Sequence, residues 1–178
     1  MPMFGTPGER VAFEAQGSGP PLLLLHGFTA SSASFLSNIP ELAERFTVIS
    51  VDLLGHGASD APESLDPYLP DPAVDRLVGL LDHLGHQQVL LCGHSLGGAL
   101  ALRFALDYPA RSAGLIVINS NSAAGPPEWR ETAQRGLEAM AARARAEGTG
   151  FLRESRLYPA RSGRLPLAAR DALVRDFD

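Results

Sequence analysis

Four short apolar blocks stand out along the chain: "LLLL" (Leu22 to Leu25), "TVISV" (Thr47 to Val51), "VLLC" (Val89 to Cys92) and "GLIVIN" (Gly114 to Asn119). Continuous apolar runs of this length predict strands buried on both faces of a parallel sheet. "RVAFEAQG" alternates instead, which predicts an edge strand followed by a turn at "GSGPP". Between the blocks the spacing turns helical. Phe35, Ile39, Leu42 and Phe46 predict a helix that Pro40 resets or begins. Asp71 and Pro72 predict a cap and first helical residue; Val74, Leu77, Val78, Leu81 and Leu84 form one stripe, and Gly85 ends it. A further helix is expected from Leu96 to about Asp107. Strand and helix in strict alternation predict an α/β fold: a mostly parallel sheet with helices on both faces.

The pattern changes near Asn121. Residues 1–121 form the sheet-building part. Residues 122–178 begin with the break "SAAGPPEW" and continue as helix, with Trp129, Ala133, Leu137, Met140 and Ala144 on one face. No strand signal returns, so this part is expected to be the start of an incomplete helical cap. "GLIVIN" would then form an unpaired apolar sheet edge.

Composition narrows the classes. The chain has 178 residues, 45% hydrophobic and 20% charged, as in ordinary globular domains. A net charge of -5, with arginine as the sole basic residue besides histidine, argues against nucleic acid or an anionic membrane as partner. The lone Cys92 excludes an intrachain disulfide and reads as a small buried thiol. With no signal-peptide pattern at the N-terminus and no membrane-length apolar run, the expectation is a cytoplasmic protein. Its partner is expected to be a small-molecule substrate, with no cofactor or metal; oligomeric state stays open.

Chemistry concentrates at three strand ends. Gly93-His94-Ser95-Leu96-Gly97 matches the G-x-S-x-G nucleophile elbow, with a strand before it and a helix after it. Such a turn holds the serine in a strained conformation and leaves no room for side chains two residues either way. It exposes the hydroxyl at a helix N-terminus, where the backbone N–H of Leu96 meets developing negative charge. "LLLLHGF" ends a strand at His26-Gly27-Phe28, which suits an oxyanion loop with the N–H of Phe28 as second donor. "DLLGHGASD" (Asp52 to Asp60) is a glycine loop at another strand end. In parallel sheets these loops gather at the carboxyl edge, where ligands bind.

Together, His26-Gly27-Phe28, Asp52-Leu53-Leu54-Gly55-His56-Gly57-Ala58-Ser59 and Gly93-His94-Ser95-Leu96-Gly97-Gly98 resemble the α/β-hydrolase superfamily in order and spacing, over about Val11 to Asn121. The resemblance implies Ser95 as nucleophile and an oxyanion hole at Phe28 and Leu96, with His26, His94 and Trp129 lining the pocket. Serine at the elbow argues against haloalkane dehalogenases and epoxide hydrolases, which carry aspartate there. The stretch from Glu128 to Phe151 is similar in cadence to enol-lactonases and to the menaquinone-pathway synthase, although Ala99 departs from the synthase pattern.

The base is missing. The family's triad runs Ser, Asp or Glu, then His, yet all five histidines (His26, His56, His83, His86 and His94) precede Ser95. The positions where some relatives place the acid are Asn119, Ser120 and Asn121. Asp52 is expected to anchor its loop, His56 to support that turn, and His83 and His86 to flank a helix end. Arg130 and Arg135 offer cations for a substrate carboxylate. The expectation is the N-terminal part of a longer serine hydrolase acting on a small ester, thioester, lactone or activated C–C bond, inactive without its Asp and His. The alternative is an inactive or small-molecule-binding module of the same fold.

Overall fold

The computed structural model describes residues 1–120, 126–155, 158–161, 163 and 165–177. Six strands form one sheet: β1 (Met3–Phe4), β2 (Val11–Gln16), β3 (Pro21–Leu25), β4 (Thr47–Val51), β5 (Val89–His94) and β6 (Ser112–Ile118), in spatial order β1-β2-β4-β3-β5-β6. β3 pairs in parallel with β4 and β5, and β5 in parallel with β6; β2 is antiparallel to both β1 and β4. The alternating strand is therefore not the edge. The two-residue β1 covers it, and β2 is buried over its first half.

The "LLLL" block shows why a parallel strand reads as apolar throughout. Leu23 and Leu25 join the larger core with Ile49, Leu77, Leu91 and Phe104. Leu22 and Leu24 point to the other face, against Phe35, Ile39 and Val48. Alternating side chains thus serve both faces of one strand.

The helices are α1 (Ile39–Leu42), α2 (Pro70–His83), α3 (Leu96–Asp107), α4 (Pro127–Glu147) and α5 (Leu167–Phe177). α1 is a single turn with Pro40 inside its start, and a 3-10 turn at Ser32–Phe35 precedes it. α2 begins two residues before its expected start. Leu69 is the extended cap (φ -61°, ψ 152°) and Pro70 the first helical residue, with Asp71 in the first turn. The residue before a proline is driven to extended backbone, so Leu69 is where the helix must start. Gly85 follows the last turn at φ +77°, as the sequence predicts.

β6 is the sheet edge, and its apolar side chains Leu115, Ile116, Val117 and Ile118 are 37% to 56% exposed. Next to it Cys92 is only half-buried, short of full burial, and partial burial pushes its thiol pKa up. The apolar face of α4 is likewise open: Trp129 and Leu137 are exposed, and Met140 is half-buried. α5 docks properly, with Ala172 and Leu173 packed on Ala33. No helix among the described residues is long and apolar enough to cross a membrane.

Candidate active site

The carboxyl ends of β3, β4 and β5 bring the three loops together. Ser95 sits between β5 and α3 at φ 51° and ψ -111°, a conformation that costs a non-glycine residue strain. The surrounding glycines are required by contact. A Cβ on Gly93 would lie 2.2 Å from the Gly97 carbonyl oxygen, and one on Gly97 2.2 Å from that of Leu25. The turn is held at several points. The Ser95 N–H donates to the Ile118 carbonyl at 2.9 Å, the Gly97 N–H to the His26 carbonyl at 3.0 Å, and the Ser120 hydroxyl to the Ser95 carbonyl.

The bond from Gly97 to His26 ties the elbow directly to the loop that follows β3. A Cβ on Gly27 would reach 2.8 Å from His94 Nδ1 and 3.3 Å from Ser95 Cβ, so the His-Gly pair lets the two loops touch. Leu96 is the first residue of α3, where helix geometry leaves the N–H without an intrahelical acceptor. Phe28 follows Gly27 with its ring partly exposed. Gly27 thus sets the Phe28 loop against Ser95, and Phe28 and Leu96 line one cavity.

His26 is fully buried, and both ring nitrogens are engaged. Nε2 accepts the Leu53 N–H at 3.0 Å, so Nδ1 carries the proton and donates to the Gly27 carbonyl at 2.8 Å. Burial lowers its pKa to about 4, against the partial opposition of the Gly27 bond. His26 thus stitches the β3 and β4 loops from beneath; the expectation that it lines the pocket is not met. Asp52 anchors its loop as expected, since its carboxylate accepts the N–H of Ser32 at 2.7 Å and of Ala58 at 2.9 Å. His56 Nδ1 donates to the Leu54 carbonyl at 2.9 Å, and its ring meets those of His26 and Phe28 edge-on. His83 sits in the last turn of α2 with its ring 5.4 Å from Phe4.

Three cavities converge on Phe28. One of about 440 Å³ is lined by His94, Ile118, Asn38 and Tyr158. A second, about 260 Å³, runs between His56 and Asp176. The third, about 240 Å³, lies behind Phe28 and Leu96 and is almost wholly apolar. His94 is thus a lining residue as expected, whereas Trp129 lies 54% exposed on α4 and outside these cavities. Arg135 is exposed on the same helix, and the side chain of Arg130 and all of Asn121 lie outside the described residues.

Asp176 was not singled out by the sequence, and Ser120 only as a position where some relatives place the acid, not as a brace on the Ser95 carbonyl. Asp176 accepts a hydrogen bond from the fully buried Ser31 hydroxyl, fastening α5 beside the Phe28 loop. Neither bond has a local sequence signal, because each joins residues far apart in the chain. Among the described residues, no three His, Cys, Asp or Glu side chains group so as to hold a metal ion.

A family model described as alpha/beta hydrolase fold matches residues 20–168. The chain belongs to that family. Over 113 residues this α/β hydrolase is 41% identical to an uncharacterized protein of Mycobacterium tuberculosis, covering 64% of this chain and 33% of that one. It is 38% identical over 115 residues to bifunctional epoxide hydrolase 2 of Sus scrofa, covering 64% of this chain and 21% of that one. It is also 38% identical over 104 residues to 2-(acetamidomethylene)succinate hydrolase of Mesorhizobium japonicum, covering 58% and 37%. The crystal structure of E-2-(acetamidomethylene)succinate hydrolase superimposes with a TM-score of 0.71 at 29% identity, over 94% of this chain and 60% of that one. A Bacillus megaterium epoxide hydrolase gives a TM-score of 0.81 at 22% identity over 99% and 66%, which speaks to the fold alone. The chain spans between a fifth and two fifths of the curated relatives just named.

Proposed function

We propose that Ser95 is the nucleophile of a serine hydrolase acting on a small ester, thioester, lactone or activated C–C bond. One observation supports it above the rest: Ser95 holds a strained positive-φ turn at the start of α3, hydrogen-bonded through Gly97 to the Phe28 loop. In this reading the Ser95 hydroxyl attacks the substrate carbonyl. The oxyanion that forms is received by the backbone N–H groups of Leu96 and Phe28, and the hydroxyl proton passes to a histidine. The base comes from outside the five histidines of this chain. His26 is buried with both nitrogens occupied, His56 supports its own loop, and none follows Ser95.

Relatives named epoxide hydrolases and a succinate-derivative hydrolase bear on this reading as members of one family. The elbow residue separates the chemistry: serine here stands where, on the resemblance drawn above, epoxide hydrolases carry aspartate. A second reading, a module that binds a small molecule without turning it over, is favoured by the His26 and His56 rings being engaged in their own loops. Boron-11 NMR with phenylboronic acid in imidazole buffer separates the two, because a poised serine, its hydroxyl proton taken up by imidazole, converts trigonal boron to a tetrahedral adduct. The expected result is a tetrahedral signal that disappears in Ser95→Ala. The same spectrum for both proteins would overturn the nucleophile assignment.

A further inference from the structure

The cavity behind Phe28 and Leu96 is unlike the other two. Val11, Leu53, Leu54, Leu77 and Leu100 form its floor, all buried residues of the main core, and Tyr68 and Pro67 close one side. Phe28 and Leu96, whose N–H groups are assigned to the proposed oxyanion, line it as well. The volume of about 240 Å³ exceeds the roughly 150 Å³ apolar cavity that is known to accept benzene.

The charge on its wall decides what fits. Arg76 reaches the cavity, but its guanidinium is held by Glu9 at 3.0 Å and by the carbonyls of Pro67 at 3.3 Å and Pro72 at 3.5 Å. The side chain is only 11% exposed. An entering carboxylate would have to displace Glu9 and lose water against a leucine-lined floor, so a neutral group is favoured.

Resting on the Ser95 reading, we infer that this cavity receives an uncharged apolar substituent of the substrate, a phenyl-sized ring or a short hydrocarbon arm, while the reacting carbonyl lies at Ser95. The cavity then sets which substrates are accepted: those whose carbonyl carries a compact apolar group pointing behind Phe28. The larger cavity, where His94 and Asn38 stand among apolar residues, is left for the other half of the molecule.

The test uses the whole chain with methyl-labelled leucine and valine and three probes: toluene, and phenylboronic and methylboronic acid in imidazole buffer. Toluene is expected to shift the methyl resonances of Val11, Leu53, Leu77 and Leu100 and to leave those of Leu22 and Leu24, on the opposite sheet face, unmoved. Phenylboronic acid is expected to form the tetrahedral adduct at least tenfold more tightly than methylboronic acid, and Ala73→Phe, which fills the cavity, to erase that preference. Toluene shifts confined to the methyls around Ile118 and Leu165 would overturn the inference. So would equal affinity for the two boronic acids, with the Ser95 assignment left intact. Failure of both acids to form an adduct removes the Ser95 assignment and this inference with it. The wild-type toluene and boronic acid results decide the matter even if Ala73→Phe does not fold.

Discussion

His26 shows how a residue can sit beside an active site and act only through structure. Its neutral ring is both donor and acceptor, joining the β3 loop to the β4 loop at Leu53. Protonation would replace the Nε2 acceptor with a donor facing another donor. The sign of the pH effect follows from burial. The folded pKa is about 4, below the ordinary value near 6.5. As pH falls from about 6.5 to about 4, the unfolded chain takes up a proton that the native one refuses. Stability is therefore present in full above about pH 6.5 and falls by up to about 3 kcal/mol by pH 4. Urea unfolding at pH 7 and pH 4.5 checks this: the wild type should lose stability between them, and His26→Gln should show a flatter dependence. Gly97 makes the complementary case, since an added Cβ meets the Leu25 carbonyl at 2.2 Å. Gly97→Ala is expected to cost about 3 kcal/mol, read as a lowered urea midpoint, because the Leu25 and His26 backbone must move.

At the scale of elements, the three central strands were legible because burial on both faces leaves an uninterrupted apolar run. The elbow was legible because its glycines answer to backbone collisions that any sequence must avoid there. β2 was misplaced as an edge because a two-residue partner such as β1 has no pattern of its own. The start of α2 shifted because two prolines, Pro70 and Pro72, compete for the first turn, and the extended backbone at Leu69 decides for the earlier one. His26 was legible as part of the loop after β3 but not as buried, since a histidine that satisfies both nitrogens leaves no local signal. β6 carries the element-scale prediction. Its run of exposed apolar residues, with open backbone groups along one side, is a template for pairing with another strand. Ile116, 56% exposed, takes a charge without disturbing the core. Ile116→Lys is expected to reduce light scattering at high protein concentration while shifting unfolding stability by no more than about 0.5 kcal/mol.

The whole molecule combines a well-packed sheet with loops brought together at one edge and two apolar surfaces, β6 and the α4 face, left open. Its relatives are longer in each named case, and of the proposed mechanism this chain holds Ser95 and the Phe28 and Leu96 N–H groups assigned to its oxyanion. The central proposal is that Ser95 is the nucleophile and that none of the five histidines in this sequence serves as its base. Intact mass spectrometry with a fluorophosphonate probe, with and without free imidazole as a substitute base and with Ser95→Ala alongside, tests it most directly. The expected result is little adduct on the protein alone, a faster single adduct with imidazole, and none in Ser95→Ala under either condition. A rapid adduct without imidazole that vanishes in Ser95→Ala would contradict the claim by showing that a working base already lies within the chain. No imidazole-dependent adduct at Ser95 would contradict its role as nucleophile.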